Sequence, residues 1–160
     1  MSVRISRATL VAILAQATAE PDREVCGLLF GDAGRIDEAL PAGNVAPDPA
    51  RHFEVDPAAL FAAIRAERGG GPRLVGHYHS HPSGSTEPSA RDAAAARQPG
   101  RFWLIVAGGE VALWRERPGG PVQGAFEAMR LVVNDSDGGC AYGIQSPQGP
   151  PSSTDAEGRD

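Results

Sequence analysis

Hydrophobic and polar residues follow two different periods along the chain, and segments of the two kinds alternate. Segments with apolar residues at i, i+3, i+4 and i+7 predict amphipathic helices, and the N-cap residues Ser6 and Asp56 mark where two of them begin. The predicted helices are Arg7 to Ala19, Pro57 to about Arg68, and a short Ala-rich helix from Ala90 to Arg97.

Short apolar runs between these helices predict strands, and Gly108-Gly109 predicts a hairpin turn between two of them. The predicted strands are Val25 to Phe30, Arg35 to Leu40, a strand-like His52 to Val55, Leu74 to His77, Phe102 to Ala107 and Glu110 to Arg115, followed by a last short strand or helix at Gln123 to Val132. Helices that alternate with an antiparallel or mixed set of strands indicate an α/β fold.

Length and composition predict one domain followed by a tail. The chain has 160 residues, of which 41% are hydrophobic, enough for one well-filled core in residues 1–133. Residues 134–160 are rich in Gly, Pro, Ser and acidic side chains and are expected to be disordered. The formal net charge is -5, and the acidic tail carries most of it. The body is therefore nearly neutral, and no basic stripe indicates nucleic-acid binding.

Cysteine usage predicts a reduced, cytoplasmic protein. Cys26 lies in an apolar run and Cys140 in the tail, and the two form neither a C-x-x-C pair nor a disulfide framework. The N-terminus leaves one alternative open, because its basic start, its apolar run and Ala17-Thr18-Ala19 resemble a secretion signal. The helical periodicity favours a folded helix instead. No apolar stretch is long enough to cross a membrane, so no membrane partner is expected.

The candidate chemistry is concentrated between Gly76 and Asp92, where three of the four histidines lie. Residues two apart in an extended strand point the same way, so His79 and His81 can bind one ion. Ser89 and Asp92 fall at i and i+3 at the start of the short helix, which lets a carboxylate face the imidazoles. Two imidazoles, one carboxylate and an open fourth position are typical of catalytic zinc.

Other residues in this stretch have simpler interpretations. His77 shares the parity of His79 and His81, but along a strand it lies ~13 Å from His81, which favours packing or a supporting role. Ser89 and Asp92 also form the S-x-x-[DE] capping box, which stabilises a helix start without any chemistry. Tyr78 is expected in the core.

The run H-S-H-P followed by S-x-x-D resembles the signature of the JAMM (MPN+) metalloprotease family, with eight residues from His81 to Ser89 and eleven to Asp92. That family also has an acidic residue at the start of its first core strand, where Glu24 stands in E-V-C-G-L-L-F-G. The resemblance spans residues 4–131. It implies a single-domain curved mixed β-sheet flanked by helices, of the JAMM/MPN and cytidine-deaminase-like type.

The resemblance also implies a hydrolase mechanism. One zinc ion held by His79, His81 and Asp92 is expected to lower the pKa of its water to ~7. Glu24 is then expected to act first as general base and then as general acid. Ser89 is expected to donate a hydrogen bond to the oxyanion of the tetrahedral intermediate.

Compact bacterial members of the family imply a ubiquitin-like or sulfur-carrier protein as the substrate. A tail that ends in Gly-Gly suits such a site, because it has no side chains and can enter a narrow channel. A peptidase that acts on cell-wall or phage-tail peptides and a non-catalytic scaffold of the same fold are the alternatives. A zinc nucleobase deaminase would need H-x-E with P-C-x-x-C, and neither motif occurs. The oligomeric state is left open.

Overall fold

Strands and helices alternate along residues 2–135, which are the residues that the computed structural model describes. In chain order the elements are β1 (Ser2–Ser6), α1 (Arg7–Ala19), β2 (Cys26–Asp32), β3 (Arg35–Ala42), α2 (Pro57–Arg68), β4 (Leu74–Ser80), α3 (Ala90–Ala95), β5 (Phe102–Ala107), β6 (Glu110–Glu116) and β7 (Phe126–Asn134). The predicted mixed α/β fold with flanking helices is confirmed.

The sheet closes on itself. Its strands form a barrel in the order β1, β3, β2, β4, β5, β6, β7, and β7 pairs back onto β1. β1 is parallel to both of its neighbours and β4 is parallel to β5, whereas the other pairs are antiparallel. No strand is predicted before Arg7 from the sequence. Ser2–Ser6 is too short to show a period, and only its pairing with β3 and β7 makes it a strand.

Both faces of the sheet are covered. One face carries an apolar cluster with residues from all seven strands, and Leu10 and Ile13 of α1 pack against it. On the other face, Ala63 of α2 covers Leu28 and its neighbours, and Trp103 is the centre of a third cluster that α3 contacts. This double coverage explains why all six residues of β5 are buried and why the strand appears as one continuous apolar run.

Several predicted boundaries were wrong. The short helix ends at Ala95 instead of Arg97, and the last predicted segment is the strand β7. His52 to Val55 forms no strand and only one bridge, from Val55 to Asn44. β4 continues past His77 to Ser80 because β2 and β5 pair with it on both sides.

The predicted disorder of the tail and the setting of Cys140 lie outside the described residues. No helix in the described part of the chain has the length and apolarity to span a bilayer.

Two glycines allow the close contacts that β4 needs. Tyr78 is in the core, as predicted, and its ring occupies the space over Gly27, where an added Cβ would lie 2.3 Å from the ring. Gly76 lies against the backbone of β5, and a Cβ there would be 2.1 Å from the carbonyl oxygen of Phe102. The second contact is the stricter one, because a backbone oxygen in a paired strand cannot move aside as a side chain can.

We therefore predict that Gly76→Ala lowers the free energy of unfolding by about 3 kcal/mol, since the new methyl group forces β4 and β5 apart. The matched control is Gly34→Ala, where a Cβ would approach only the Asp32 side chain, at 3.8 Å. Urea unfolding of both variants measures the difference. Equal stabilities of the two variants would contradict the close packing of β4 on β5.

Candidate metal centre

Two imidazoles converge where β4 ends. His79 is fully buried and pairs through its backbone with Cys26 of β2 and Ile105 of β5. His81 follows the strand, and its N–H donates to the carbonyl of Val106 at 2.9 Å, which keeps the chain extended for one residue more. The two side chains therefore share a face, and their Nε2 atoms are 2.9 Å apart.

The start of α3 directs a carboxylate at this pair. Asp92 is buried, and its Oδ2 lies 3.3 Å from Nε2 of His79 and 3.2 Å from Nε2 of His81. The same oxygen accepts the N–H of Ser89 at 2.9 Å, while Oγ of Ser89 accepts the N–H of Asp92 at 3.0 Å. The capping box that stabilises the helix start thus also holds the carboxylate against the imidazoles.

Glu24 brings a second carboxylate from the segment that leads into β2. It is only 4% exposed, and one of its carboxylate oxygens lies within 4.8 Å of ring nitrogens of His79 and His81. Its backbone is held on both sides, because its N–H donates to the carbonyl of Pro49 at 2.7 Å and its carbonyl accepts from Asn44 at 2.9 Å. The structure therefore brings all five predicted site residues to one place.

The two carboxyl groups differ in their electrostatics. Burial raises the pKa of Glu24 to about 7, so this group can both accept and release a proton near neutral pH. Burial alone would also raise the pKa of Asp92, but hydrogen bonds with His79 and His81 outweigh it and lower that pKa. Burial lowers the pKa of His79, which favours the neutral imidazole. An ionised Asp92 beside a neutral imidazole is the protonation state that a metal requires.

The geometry of these donors fits a zinc ion. Four ligands at ~2.0–2.1 Å in a tetrahedron lie ~3.3 Å from one another. Nε2 of His79, Nε2 of His81 and Oδ2 of Asp92 are separated by 2.9, 3.3 and 3.2 Å. Nδ1 of His81 also hydrogen-bonds the carbonyl of Ser85 at 2.7 Å, the outer contact that is usual for a metal-binding histidine.

The remaining histidines lie outside this group. His77 packs on Trp103, with ring centroids 4.1 Å apart, and burial lowers the pKa of His77 to about 3. Its ring centroid is 6.2 Å from that of His79. His52 makes hydrogen bonds through its backbone, since its N–H donates to the carbonyl of Asp48 at 3.0 Å and its carbonyl accepts from Nδ2 of Asn44 at 2.9 Å.

Phe53 is a site residue that the sequence does not predict, and its ring stacks on the ring of His79 with centroids 4.1 Å apart and planes 18° apart. No motif identifies it, because the two residues are far apart in the chain and Phe53 lies in a segment without regular structure. The site opens to solvent through a cleft of about 370 Å³ that includes Glu24, His81 and Ser89 in its lining.

Comparison with known proteins gives the family. Residues 6–117 match the family of prokaryotic homologs of the JAB domain, and the chain therefore belongs to this family. The desampylase of Haloferax volcanii is 41% identical over 93 residues, which cover 57% of this chain and 67% of that protein. A probable TtuB-protein conjugate cleaving protease of Thermus thermophilus is 34% identical over 119 residues, covering 68% of this chain and 80% of that protein.

The chain is also similar to a phage protein in sequence and to a solved structure in fold. The tail tip assembly protein K of Escherichia phage N15 is 33% identical over 134 residues, which cover 79% of this chain but only 53% of the phage protein. The solution structure of DSY2949 from Desulfitobacterium hafniense has a TM-score of 0.70 at 24% identity and covers 84% of this chain and 94% of its own. The structural likeness supports the fold that the strands and helices define.

The raised pKa of Glu24 has a consequence for stability. A carboxyl group whose pKa rises on folding weakens the folded state as pH increases from the unfolded value, 4.5, to the folded value of about 7. In metal-free protein, Glu24→Gln removes this loss, so the variant gains stability over the unsubstituted protein across that window, by at most about 3 kcal/mol.

Urea unfolding at several pH values measures this gain, with Glu38→Gln on the exposed side of β3 as the matched control. A difference between Glu24→Gln and the unsubstituted protein that does not change with pH would contradict the raised pKa.

Proposed function

We propose that this chain is a zinc-dependent metallopeptidase that hydrolyses an amide bond after the C-terminal Gly-Gly of a ubiquitin-like or sulfur-carrier protein. One observation carries the proposal. Nε2 of His79, Nε2 of His81 and Oδ2 of Asp92 lie within 3.3 Å of one another, beside a buried carboxyl group from Glu24. A structural zinc site would be closed by a fourth protein ligand, whereas this one borders an open cleft.

In this proposal His79, His81 and Asp92 hold one zinc ion. When bound, zinc makes water a strong nucleophile near neutral pH and polarises a carbonyl group. The protein favours an ionised Asp92 and a neutral His79, and it fixes two of the ligands before the ion arrives, because Asp92 is held by the capping box and His81 by the Ser85 carbonyl.

Glu24 is the proposed proton carrier. Its pKa of about 7 lets the carboxylate take the proton of the attacking water and then pass it to the departing amine.

Ser89 is the proposed oxyanion donor. Its Oγ accepts the N–H of Asp92, which leaves the hydroxyl proton free to donate to the developing negative charge.

The substrate class rests on the relatives. Two of them are named for the removal of protein conjugates, the desampylase and the probable TtuB-conjugate cleaving protease. An extended Gly-Gly tail has no side chains that would prevent its entry into a cleft bordered by Glu24, His81 and Ser89. A cytoplasmic setting suits such substrates and agrees with the buried, unpaired thiol of Cys26.

A second candidate uses the same site on another substrate. The match to the phage tail tip assembly protein supports a peptidase that acts on phage-tail or cell-wall peptides. The metal ligands and the proton carrier would be the same in both cases, so only the substrate distinguishes them.

We predict that Glu24→Gln retains zinc but lowers the rate of amide hydrolysis by about 1,000-fold, because the amide cannot accept a proton. Metal analysis of the purified variant and single-turnover kinetics measure the two effects. The isosteric Glu38→Gln on β3 is the control. Loss of zinc from Glu24→Gln would assign Glu24 to the ligands instead of the base.

The proposal as a whole is tested with a carrier protein that bears a C-terminal extension after Gly-Gly. We expect one zinc per chain and cleavage after the second glycine, abolished by a chelator and restored by zinc. Asp92→Asn, which removes the charge and keeps the shape, should lose both zinc and activity. Chelator-sensitive cleavage of cell-wall or tail peptides but not of the carrier would favour the second candidate, and no zinc uptake would overturn both.

A further inference from the structure

The two imidazoles at the candidate metal position are held in different ways. Nδ1 of His81 has a hydrogen-bond partner in the Ser85 carbonyl, whereas Nδ1 of His79 is buried and has none among residues 2–135. A metal-binding histidine normally has its second ring nitrogen hydrogen-bonded, which fixes the orientation of the ring. On this side the ring of His79 is left to packing, in addition to the contact of its Nε2 with Asp92 at 3.3 Å.

Phe53 provides this packing. Its ring lies flat against the ring of His79, with centroids 4.1 Å apart and planes 18° apart. Phe53 and Trp103 pack edge to face with ring centroids 6.0 Å apart, and Trp103 is itself held by a hydrogen bond from Nε1 to Glu116 at 2.7 Å. The imidazole of His79 cannot rotate about its Cβ–Cγ bond without displacing Phe53. The stacking therefore restricts the orientation of this ring, as a hydrogen bond to Nδ1 would do.

Phe53 lies between β3 and α2 in a segment without helix or strand. Backbone hydrogen bonds hold this segment, such as that from the N–H of Val45 to the carbonyl of Glu54 at 2.9 Å, and the side chain of Asn44 adds to them. Nδ2 of Asn44 donates to the carbonyls of Glu24 and His52, each at 2.9 Å, and Oδ1 accepts the N–H groups of Ala46 and Glu54 at 3.0 and 3.1 Å. An amide side chain can make four such bonds, and Asn44 makes all four.

These bonds link two parts of the site. His52 and Glu54 are the chain neighbours of Phe53, so the Asn44 amide fixes the backbone on both sides of the ring that stacks on His79. The same amide holds the carbonyl of Glu24. One side chain therefore connects the backbone of the candidate base to the backbone beside the ring that packs on the candidate ligand.

We propose that Asn44 and Phe53 are positioning residues of the metallopeptidase site, in which Phe53 orients the ring of His79 and Asn44 ties Phe53 to Glu24. The inference rests on the proposed function. Phe53 acts through His79, and Asn44 acts through the backbone of Glu24 and of the residues beside Phe53.

The role of Phe53 is tested with zinc alone. Phe53→Leu keeps an apolar side chain but removes the flat ring, and we expect its zinc affinity to fall about tenfold, measured by competition with a chromophoric chelator. Phe53→Tyr, which keeps the ring, should retain the affinity. Phe61→Leu is the matched control, because Phe61 is 57% exposed on α2. The visible spectrum of cobalt-substituted protein should change in Phe53→Leu and not in Phe61→Leu.

The role of Asn44 is tested with the carrier substrate. Asn44→Asp has the same shape but cannot donate to the carbonyls of Glu24 and His52. We expect kcat to fall about tenfold or more, with KM changed less than about twofold, because the base moves while the substrate surface stays. The double variant that combines Asn44→Asp with Phe53→Leu should lose less zinc affinity than the sum of the two single losses. The reason is that both substitutions act through the same segment.

The outcomes separate this inference from the proposed function. Unfolding of the metal-free variants identifies those that are folded, and Phe53→Met carries the same comparison if Phe53→Leu does not fold. If the unsubstituted protein binds zinc and cleaves the carrier while the folded variants match it in zinc affinity and kcat, Phe53 and Asn44 are only packing residues and the inference is wrong. If the unsubstituted protein takes up no zinc, the proposed function fails, and the inference fails with it.

Discussion

The site depends on the position of β4 between an antiparallel and a parallel neighbour. Hydrogen bonds to β2 and β5 hold this strand on both sides, and one more from His81 to Val106 extends it past its last residue. Since residues two apart on a strand share a face, this backbone pairing alone brings the two imidazoles together. The register with β2 also places Cys26 opposite His79, so Glu24 enters the site from the segment that leads into β2.

The site concentrates buried polar groups that a stable core would not contain. Asp92, Glu24 and His79 are nearly inaccessible to water, and the two Nε2 atoms face each other at 2.9 Å. Burying ionisable groups costs free energy unless partners compensate for the lost hydration. Here the capping box partly compensates for Asp92, whereas Glu24 responds through its raised pKa. A bound cation would offset the remaining cost, which is the general reason that metal ligands and perturbed pKa values occur together.

The segment between β3 and α2 shows how irregular backbone can be made rigid. A connection of this length without regular structure is uncommon in a compact domain and is usually functional. Its bridge from Asn44 to Val55 and the four hydrogen bonds of the Asn44 amide replace the ladder that a strand would have made. The result is a loop that supports the centre from outside the sheet while leaving the cleft beside Glu24 open.

The amino-acid sequence by itself determined those features that depend on neighbours in the chain. The helices α1 and α2, the hairpin of β5 and β6, the shared face of His79 and His81, and the capping box of Ser89 and Asp92 all follow from periods and short spacings. The family motif then added Glu24, whose distance in the chain from the histidines is too large for any local rule to connect them.

Only the tertiary structure decided which distant segments meet. β1 is a strand because β3 and β7 pair with it, and β7 is a strand because β1 and β6 pair with it. In neither segment is the hydrophobic periodicity strong enough to distinguish a strand from a helix. The same holds for the stacking of Phe53 on His79 and for the hydrogen bond from Asn44 to Glu24. Each joins segments that are distant in the chain and share no motif. Local patterns encode secondary structure and short motifs, whereas such contacts arise only when the whole barrel closes and its faces are buried together.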